Sequence, residues 1–272
     1  MSISCQKNGH KFLKKEEINK NLYAYVYSNL NERYNYLEKV INNGKFTAGV
    51  IYNHKPFTYL ENNNPKGFNI DIINKIAEEI NAKVNFVEIK ENMLIDILNK
   101  GNIDIIVSPY NPTIAKDKLI DFSFVYYKDY YCVMLDKNLN INSMKDLEYK
   151  KISMFTGTIS QKFIDEYKIK PVYLDSIEKH RYALTNNKVS AILALRSTLL
   201  NIKENTTSSD NYIILDTEFG FLPYSFGLPS GEPEWRDFIN HSIMKLVKQE
   251  IYHKLYKKYF GNDINIQIDD LW

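Results

Sequence analysis

What most constrains this chain is an alternation that begins at Lys45: apolar runs of strand length, each followed by a polar turn and a helix-periodic segment. The pattern predicts strands over 46–52, 83–88 and 103–108, with helices over 71–81 and 93–99 between them. Within 71–81, Ile72, Ile73, Ile76, Ala77 and Ile80 recur at three- and four-residue spacing, which lines one helix face. A second series predicts strands over 130–136, 151–155, 172–174 and 189–195, and helices over 158–167 and 177–186. After 212–215 the chain runs through 219–228 into a long helical stretch, 234–259. Strand–helix–strand order implies a mostly parallel sheet with helices on both faces. Two such series with no flexible linker imply an α/β chain of two lobes joined by strand crossovers, with a ligand cleft between them.

Residues 1–44 differ. They are polar and helix-periodic, with Leu22, Val26, Leu30, Leu37, Val40 and Ile41 on one stripe before Asn43-Gly44 stops the run. An amphipathic lead-in helix packed on the main body is expected there. Over the whole chain, 44% hydrophobic and 25% charged residues are globular proportions. Lys and Arg number 35 against 33 Asp and Glu, interspersed throughout, which excludes a nucleic-acid footprint. Cys5 and Cys132 are too few for a disulfide framework or a structural zinc site. Cys132, inside the run 130–135, reads as a small buried hydrophobe. No apolar stretch reaches membrane-spanning length, and no secretory apolar segment precedes the globular part.

Residues for covalent chemistry are missing from the pattern. There is no nucleophile elbow, Walker loop or dinucleotide fingerprint. His180, His241 and His253 stand among charged residues on helical stretches and are expected on the solvated surface. Only His54, just before Lys55-Pro56-Phe57, sits where a strand gives way to a loop. Two strand-to-helix turns are more informative: 108–116, with Ser108, Tyr110, Asn111 and Lys116, and 155–160, with Phe155, Gly157, Thr158 and Ser160. Helix N-termini offer free N–H groups and a positive dipole end to an anion. The simpler use of Thr113 and Thr158 is N-capping.

From Leu37 to Gly261 the chain resembles the extracytoplasmic solute-binding proteins of amino-acid ABC transporters, bacterial family 3. The resemblance is carried by order and spacing: Leu37-Glu38-Lys39-Val40-Ile41 with Gly44, Pro56-Phe57, Gly67-Phe68-Asn69-Ile70-Asp71, Gly101-Asn102-Ile103-Asp104, Ile120-Asp121-Phe122-Ser123 with Tyr126-Tyr127, Gly157-Thr158, Asn187 to Ala191, and Ile251 to Gly261. It implies the type II periplasmic-binding-protein-like fold, two α/β lobes joined by a two-strand hinge, which close on a small polar solute. Lobe 1 would be 45–128 plus 222–272 and lobe 2 129–221, after the leader 1–44. In the family an aromatic stacks on the ligand, an arginine clamps its carboxylate and an aspartate takes its ammonium. Carried over, these positions are His54, Lys116 and Leu195. Lys116 neutralises a carboxylate as a point charge rather than a fork, and Leu195 accepts no hydrogen bond. Arg196, next to it, is a substitute anion ligand only if strand alternation does not turn it away.

The resemblance therefore implies a non-catalytic protein that needs no cofactor and binds an amino acid or related carboxylate for an ABC transporter permease. The expected polar contacts are Ser108, Asn111 and Lys116 from lobe 1 and Thr158 and Ser160 from lobe 2. His54, Phe57, Tyr110 and Phe155 would supply rings and apolar walls, with Leu195 at the lobe-2 strand end. It also implies an extracytoplasmic location and a monomer. Two alternatives share the fold: a cyclohexadienyl (prephenate or arogenate) dehydratase, and the ligand-sensing domain of a membrane receptor. The first needs a general acid, and 195–198, where it is expected, holds none.

Overall fold

A computed structural model describes residues 36–261, with the side chains of 217–219 left aside. The expected leader falls mostly outside it; its described end is α1 (Tyr36–Asn43), which buries Tyr36 and Val40. The chain continues through β1 (Lys45–Val50), the hairpin β2 (Tyr59–Glu61) and β3 (Asn64–Lys66), α2 (Phe68–Glu78), β4 (Lys83–Glu88), α3 (Leu94–Asn99), β5 (Ile105–Tyr110), α4 (Ile114–Asp117), β6 (Asp121–Phe122) and β7 (Tyr127–Asp136). Then come β8 (Lys151–Phe155), α5 (Gln161–Glu166), β9 (Lys170–Leu174), α6 (Ile177–Thr185), β10 (Ala191–Leu195), α7 (Arg196–Glu204), β11 (Tyr212–Leu228), α8 (Pro233–Lys248) and α9 (Ile251–Phe260).

Apart from the separate two-stranded β2–β3 sheet, these strands form one hydrogen-bonded sheet in the order β4-β1-β5-β11-β7-β10-β8-β9, with β6 also on β11. Each end of it is a parallel set, β4-β1-β5 and β10-β8-β9. The two strands between them, β7 and β11, run antiparallel and pair from Tyr212↔Asp136 to Tyr224↔Tyr127, with a register shift between Asp216 and Phe221. The lobes are thus joined by a two-strand ladder. The antiparallel pair is what the expectation of a mostly parallel sheet did not contain.

Alternation along the strands shows that both faces are covered. In β5, Ile105 and Val107 join the core under α2 and α8, while Ile106 joins the cluster with Leu94 and Leu98 of α3. In β10, Leu193 packs with Met154 and Ile164, and Ile192 with Leu184 and Leu199. The lobe-1 core is aromatic: Phe57 meets Tyr127, Tyr224 and Phe260 with ring centroids 4.9–5.3 Å apart. Gly67 enters α2 at φ 129°, and a Cβ there would lie 2.1 Å from the Phe57 carbonyl oxygen, so only glycine fits.

Four local expectations are corrected. The C-terminal helical stretch is two helices, broken at Glu250, which is left-handed with φ 60° and offers no Gly or Pro signal. The separate runs after 212 are one continuous strand, β11. Helix α5 starts at Gln161, capped by Ser160 rather than Thr158, because the Ser160 hydroxyl accepts from the Phe163 N–H. His180 is fully buried: its Nδ1 lies 2.9 Å from Ser153 Oγ, and desolvation lowers its pKa.

Candidate functional site

An open cavity of about 410 Å³ lies between the lobes, against Leu222 and Tyr224 of the joining strand β11. From lobe 1 it takes the loop after β1, the 3₁₀ turn before α3 and the β5–α4 turn; from lobe 2, the C-terminal ends of β8 and β10 and the first turns of α6 and α7. Strand ends and helix starts converge there because parallel strands feeding helices leave their C-terminal edges open to the crevice.

Of the residues expected from sequence, His54, Phe57, Tyr110, Asn111, Lys116, Phe155 and Leu195 line this cavity. Three do not. Ser108 is buried, accepting from the Ile51 N–H at 2.8 Å, and its carbonyl accepts from Tyr126 Oη. The Thr158 hydroxyl donates back to the Phe155 carbonyl at 2.8 Å, and Ser160 is occupied as the cap of α5. The hydroxyl-rich turn after β8 therefore satisfies its own backbone. Phe57, although it touches the cleft, is 2% exposed and belongs mainly to the lobe-1 core.

The lobe-1 wall is built around a cation. Thr113 caps α4 by accepting from the Lys116 N–H, which starts the turn that aims Lys116 back over β5. Its ammonium sits 3.8 Å from the centroid of the Tyr110 ring and donates to the Asn111 carbonyl at 3.0 Å. Tyr110 is itself stacked on Phe122, with centroids 6.0 Å apart. In the amide orientation that satisfies its neighbours, the Asn111 side-chain nitrogen donates to the carbonyls of Pro112 and Pro223, tying this turn to β11. Desolvation lowers the pKa of Lys116 and of His54, and Glu91 opposes it in both cases. Glu91, which also lines a side pocket with Tyr110 and Lys116, was not singled out in the sequence.

The lobe-2 wall carries a single acid at its edge, Asp175, and is otherwise uncharged at its surface. Leu195, Ser197, Thr198 and Phe155 line it, and Tyr224 of β11 joins them at the back. Asp175 is held by Lys179, 2.7 Å away. Arg196 does not reach the cleft: it opens α7 instead of continuing β10, is 5% exposed, and pairs with Asp216 at 2.7 Å. Behind the wall stands Asp129, fully buried on β7. It accepts from the Ser197 N–H at 3.2 Å, from the Ser197 hydroxyl, and from Tyr224 Oη at 3.2 Å. Burial pushes its pKa up to about 6, against the pull of those donors and of Arg196. Sequence reasoning started this strand at residue 130 and used Asp129 only as the first residue of lobe 2, so the acid was not singled out.

Among the described residues there is no cluster of three or more metal-ligating side chains and no helix long and apolar enough to cross a membrane. Residues 46–262 match the model of the bacterial extracellular solute-binding proteins, family 3. The chain is 32% identical over 199 residues to a glutamine-binding protein of Geobacillus stearothermophilus, covering 71% of this chain and 76% of the relative. It is 30% identical over 217 residues to a probable histidine-binding protein of Campylobacter jejuni, covering 78% and 83%. In fold it is similar to an ancestral amino-acid-binding protein described as a precursor of cyclohexadienyl dehydratase, with a TM-score of 0.62 and 25% identity over 82% of this chain and 99% of that one.

Proposed function

The chain belongs to the bacterial extracellular solute-binding proteins of family 3, and from that premise we propose that it captures an amino acid or related carboxylate between its lobes, closes on it, and delivers it to an ABC transporter permease. It does so outside the cytoplasmic membrane and as a monomer. The observation that carries this reading is Lys116, a cation fixed in the cleft wall by the Tyr110 ring and the Asn111 carbonyl. An ammonium has three N–H donors, so one bond to Asn111 leaves others for a solute carboxylate. The relatives named for glutamine and histidine binding support the amino-acid class.

We place the lobes at 45–128 plus 222–261 and at 129–221, the expected remainder of lobe 1, 262–272, lying outside the described residues, so that the chain crosses at the paired residues Lys128↔Pro223 and Asp129↔Leu222. Rotation about two adjacent backbone segments is a hinge, and it moves Phe155, Ser197 and Thr198 onto the Lys116 side. The solute is then shielded from water, which strengthens each polar contact. A dehydratase would need a carboxylic acid at the solute. At the strand end where the resemblance would place it, Leu195, Ser197 and Thr198 offer none; of the acids that do border the cavity Asp175 is paired with Lys179 and Glu91 lies on the opposite wall, and the carboxyl with the raised pKa, Asp129, is buried behind Ser197. These features support binding without catalysis.

The test is a thermal-shift screen of the purified protein against amino acids, their deaminated acids, polyamines and aromatic carboxylates. A ligand at a hundred times its Kd adds about 2.7 kcal/mol of stability, an easily measured rise in Tm. A hit among amino acids or related carboxylates is expected. No shift from any of them would overturn the reading, and phenylpyruvate or phenylalanine formed from prephenate or arogenate would replace it with the enzyme.

A further inference from the structure

With Leu195 unable to accept a hydrogen bond, the one acid that borders the lobe-2 side of the cavity is Asp175, which stands at the exposed start of α6 and is paired with Lys179. We propose that Asp129 supplies the counter-charge for a solute amine from behind the wall, relayed through the hydroxyl oxygens of Ser197 and Tyr224, and that the solute therefore carries a protonated amine. This rests on the solute-binding reading above and goes further by assigning the amine and the residues that hold it.

The argument follows from donor and acceptor counting. An ionised carboxylate only accepts, so the hydroxyl hydrogens of Ser197 and Tyr224 both point at Asp129. Each oxygen is then left with lone pairs and no hydrogen to offer, and both residues line the cleft. A group arriving there meets two acceptors with a full negative charge one bond behind them. That environment favours an ammonium and disfavours a carboxylate or a carbonyl. Leu195 beside them is apolar, which weakens screening of the Asp129 charge. Arg196, the nearby cation, is paired with Asp216, and its remaining pull on Asp129 is outweighed by burial. Lys116 on the facing wall takes the opposite end of the solute, so the two walls orient a dipolar molecule.

Asp129 also makes the affinity depend on pH. Facing it are Ser197 and Arg196 from α7, Tyr224 from β11, Tyr127 and Tyr131 from its own strand and Tyr256 from α9. The phenols are held above their ordinary pKa and Arg196 stays charged, so in this group only Asp129, raised to about 6, changes charge between pH 5 and 7.5. Protonated, it no longer orders the two hydroxyls as acceptors.

The experiment titrates the wild-type protein and its Asp129→Asn variant, by calorimetry at pH 7.5 and pH 5, with the twenty L-amino acids beside the 2-hydroxy acids of the same side chains. For the amino acid that binds, Asp129→Asn is expected to weaken affinity about 10- to 150-fold at pH 7.5, the range for a hydrogen bond to a charged group. The matching hydroxy acid should change little. Lowering the pH should weaken the amino acid more in wild type than in the variant; any contribution from His54 is common to both proteins and cancels. If Asp129→Asn does not fold, Tyr224→Phe removes one relay and should weaken the amino acid selectively, about tenfold. Equal losses for both ligand classes, or selective loss in Glu91→Gln instead, would overturn the proposal. So would tight binding of amine-free acids alone, which would leave the solute-binding reading standing. No binding from either class would remove that reading, and the inference with it.

Discussion

The two walls of the cleft place their charges at different depths. Lobe 1 carries its cation in front, Lys116 half-buried over the Tyr110 ring; lobe 2 shows the solute Leu195, Ser197 and Thr198 and keeps Asp129 and the Arg196–Asp216 pair behind them. A charge at the surface is partly screened, and the Lys116 ammonium, held by the Tyr110 ring and the Asn111 carbonyl, keeps N–H donors free to meet a carboxylate directly. One that is buried cannot move, and it acts by fixing which way its neighbours' hydrogens point. The cores repeat the contrast: rings around Phe57 and Phe68 hold lobe 1, whereas lobe 2 is held by aliphatic side chains on both sheet faces. Discrimination by wall chemistry thus divides between a half that meets the solute directly and a preset one.

The contrast breaks most visibly if Asp129 proves to be solvated. Its folded pKa is raised from 3.8 to about 6, so between those values the unfolded chain has lost the proton that the folded protein keeps. Folding stability must then fall as pH rises from about 4 to about 6 and level off above, by about 3 kcal/mol relative to Asp129→Asn. Urea unfolding of both proteins across that window measures it, and a pH-independent difference would put Asp129 in water. The front wall is probed by Lys116→Ala, expected to cost about 1.5–3 kcal/mol of solute binding while leaving the stability of the empty protein within about 0.5 kcal/mol. Unchanged affinity in a calorimetric titration would remove the clamp from lobe 1. The smallest effect sharpens the boundary of the rear wall. Ser160→Ala should lose about 1 kcal/mol of stability as a lost N-cap, and neither it nor Thr158→Ala should alter affinity; a drop in affinity would return the turn after β8 to the site.

Much of this architecture was legible because its signals are local. The strand at Lys83–Glu88 and the strand at Lys151–Phe155 lie where the apolar runs between turns place them, and Thr113 caps α4 as its position before the helix suggests. The wall of the candidate cavity was legible where it lies on strand ends and turns: His54, Tyr110, Asn111, Lys116, Phe155 and Leu195 all line it. What was not legible depends on partners distant in sequence. Asp129 is buried by α7 and β11, 68 and 95 residues away through Ser197 and Tyr224. His180 looked solvated between Lys179 and Arg181, although its spacing to Ala183 and Leu184, three and four residues on, marks a buried helix face. Glu91 lacked any pattern, because an acid on a short turn is ordinary until Lys116 and His54 are known to lie nearby.

The 17-residue strand β11 has a further consequence, for the order in which the molecule can be assembled. Its first half completes the ladder of lobe 2 and its second half fills the gap between β5 and β7 in lobe 1, after which α8 and α9 close the lobe-1 core. Lobe 2 is therefore an insertion, and a ribosome emitting this chain must deliver all of it before lobe 1 can acquire its central strand. Until then Phe57 and Phe68 wait for Tyr224, Tyr252 and Phe260 across more than half the described chain. Contacts closed over such long loops form slowly and leave apolar surface exposed meanwhile. The half synthesised first is the half finished last, and a nascent chain stalled within lobe 2 would present an open aromatic core to whatever holds it from aggregating.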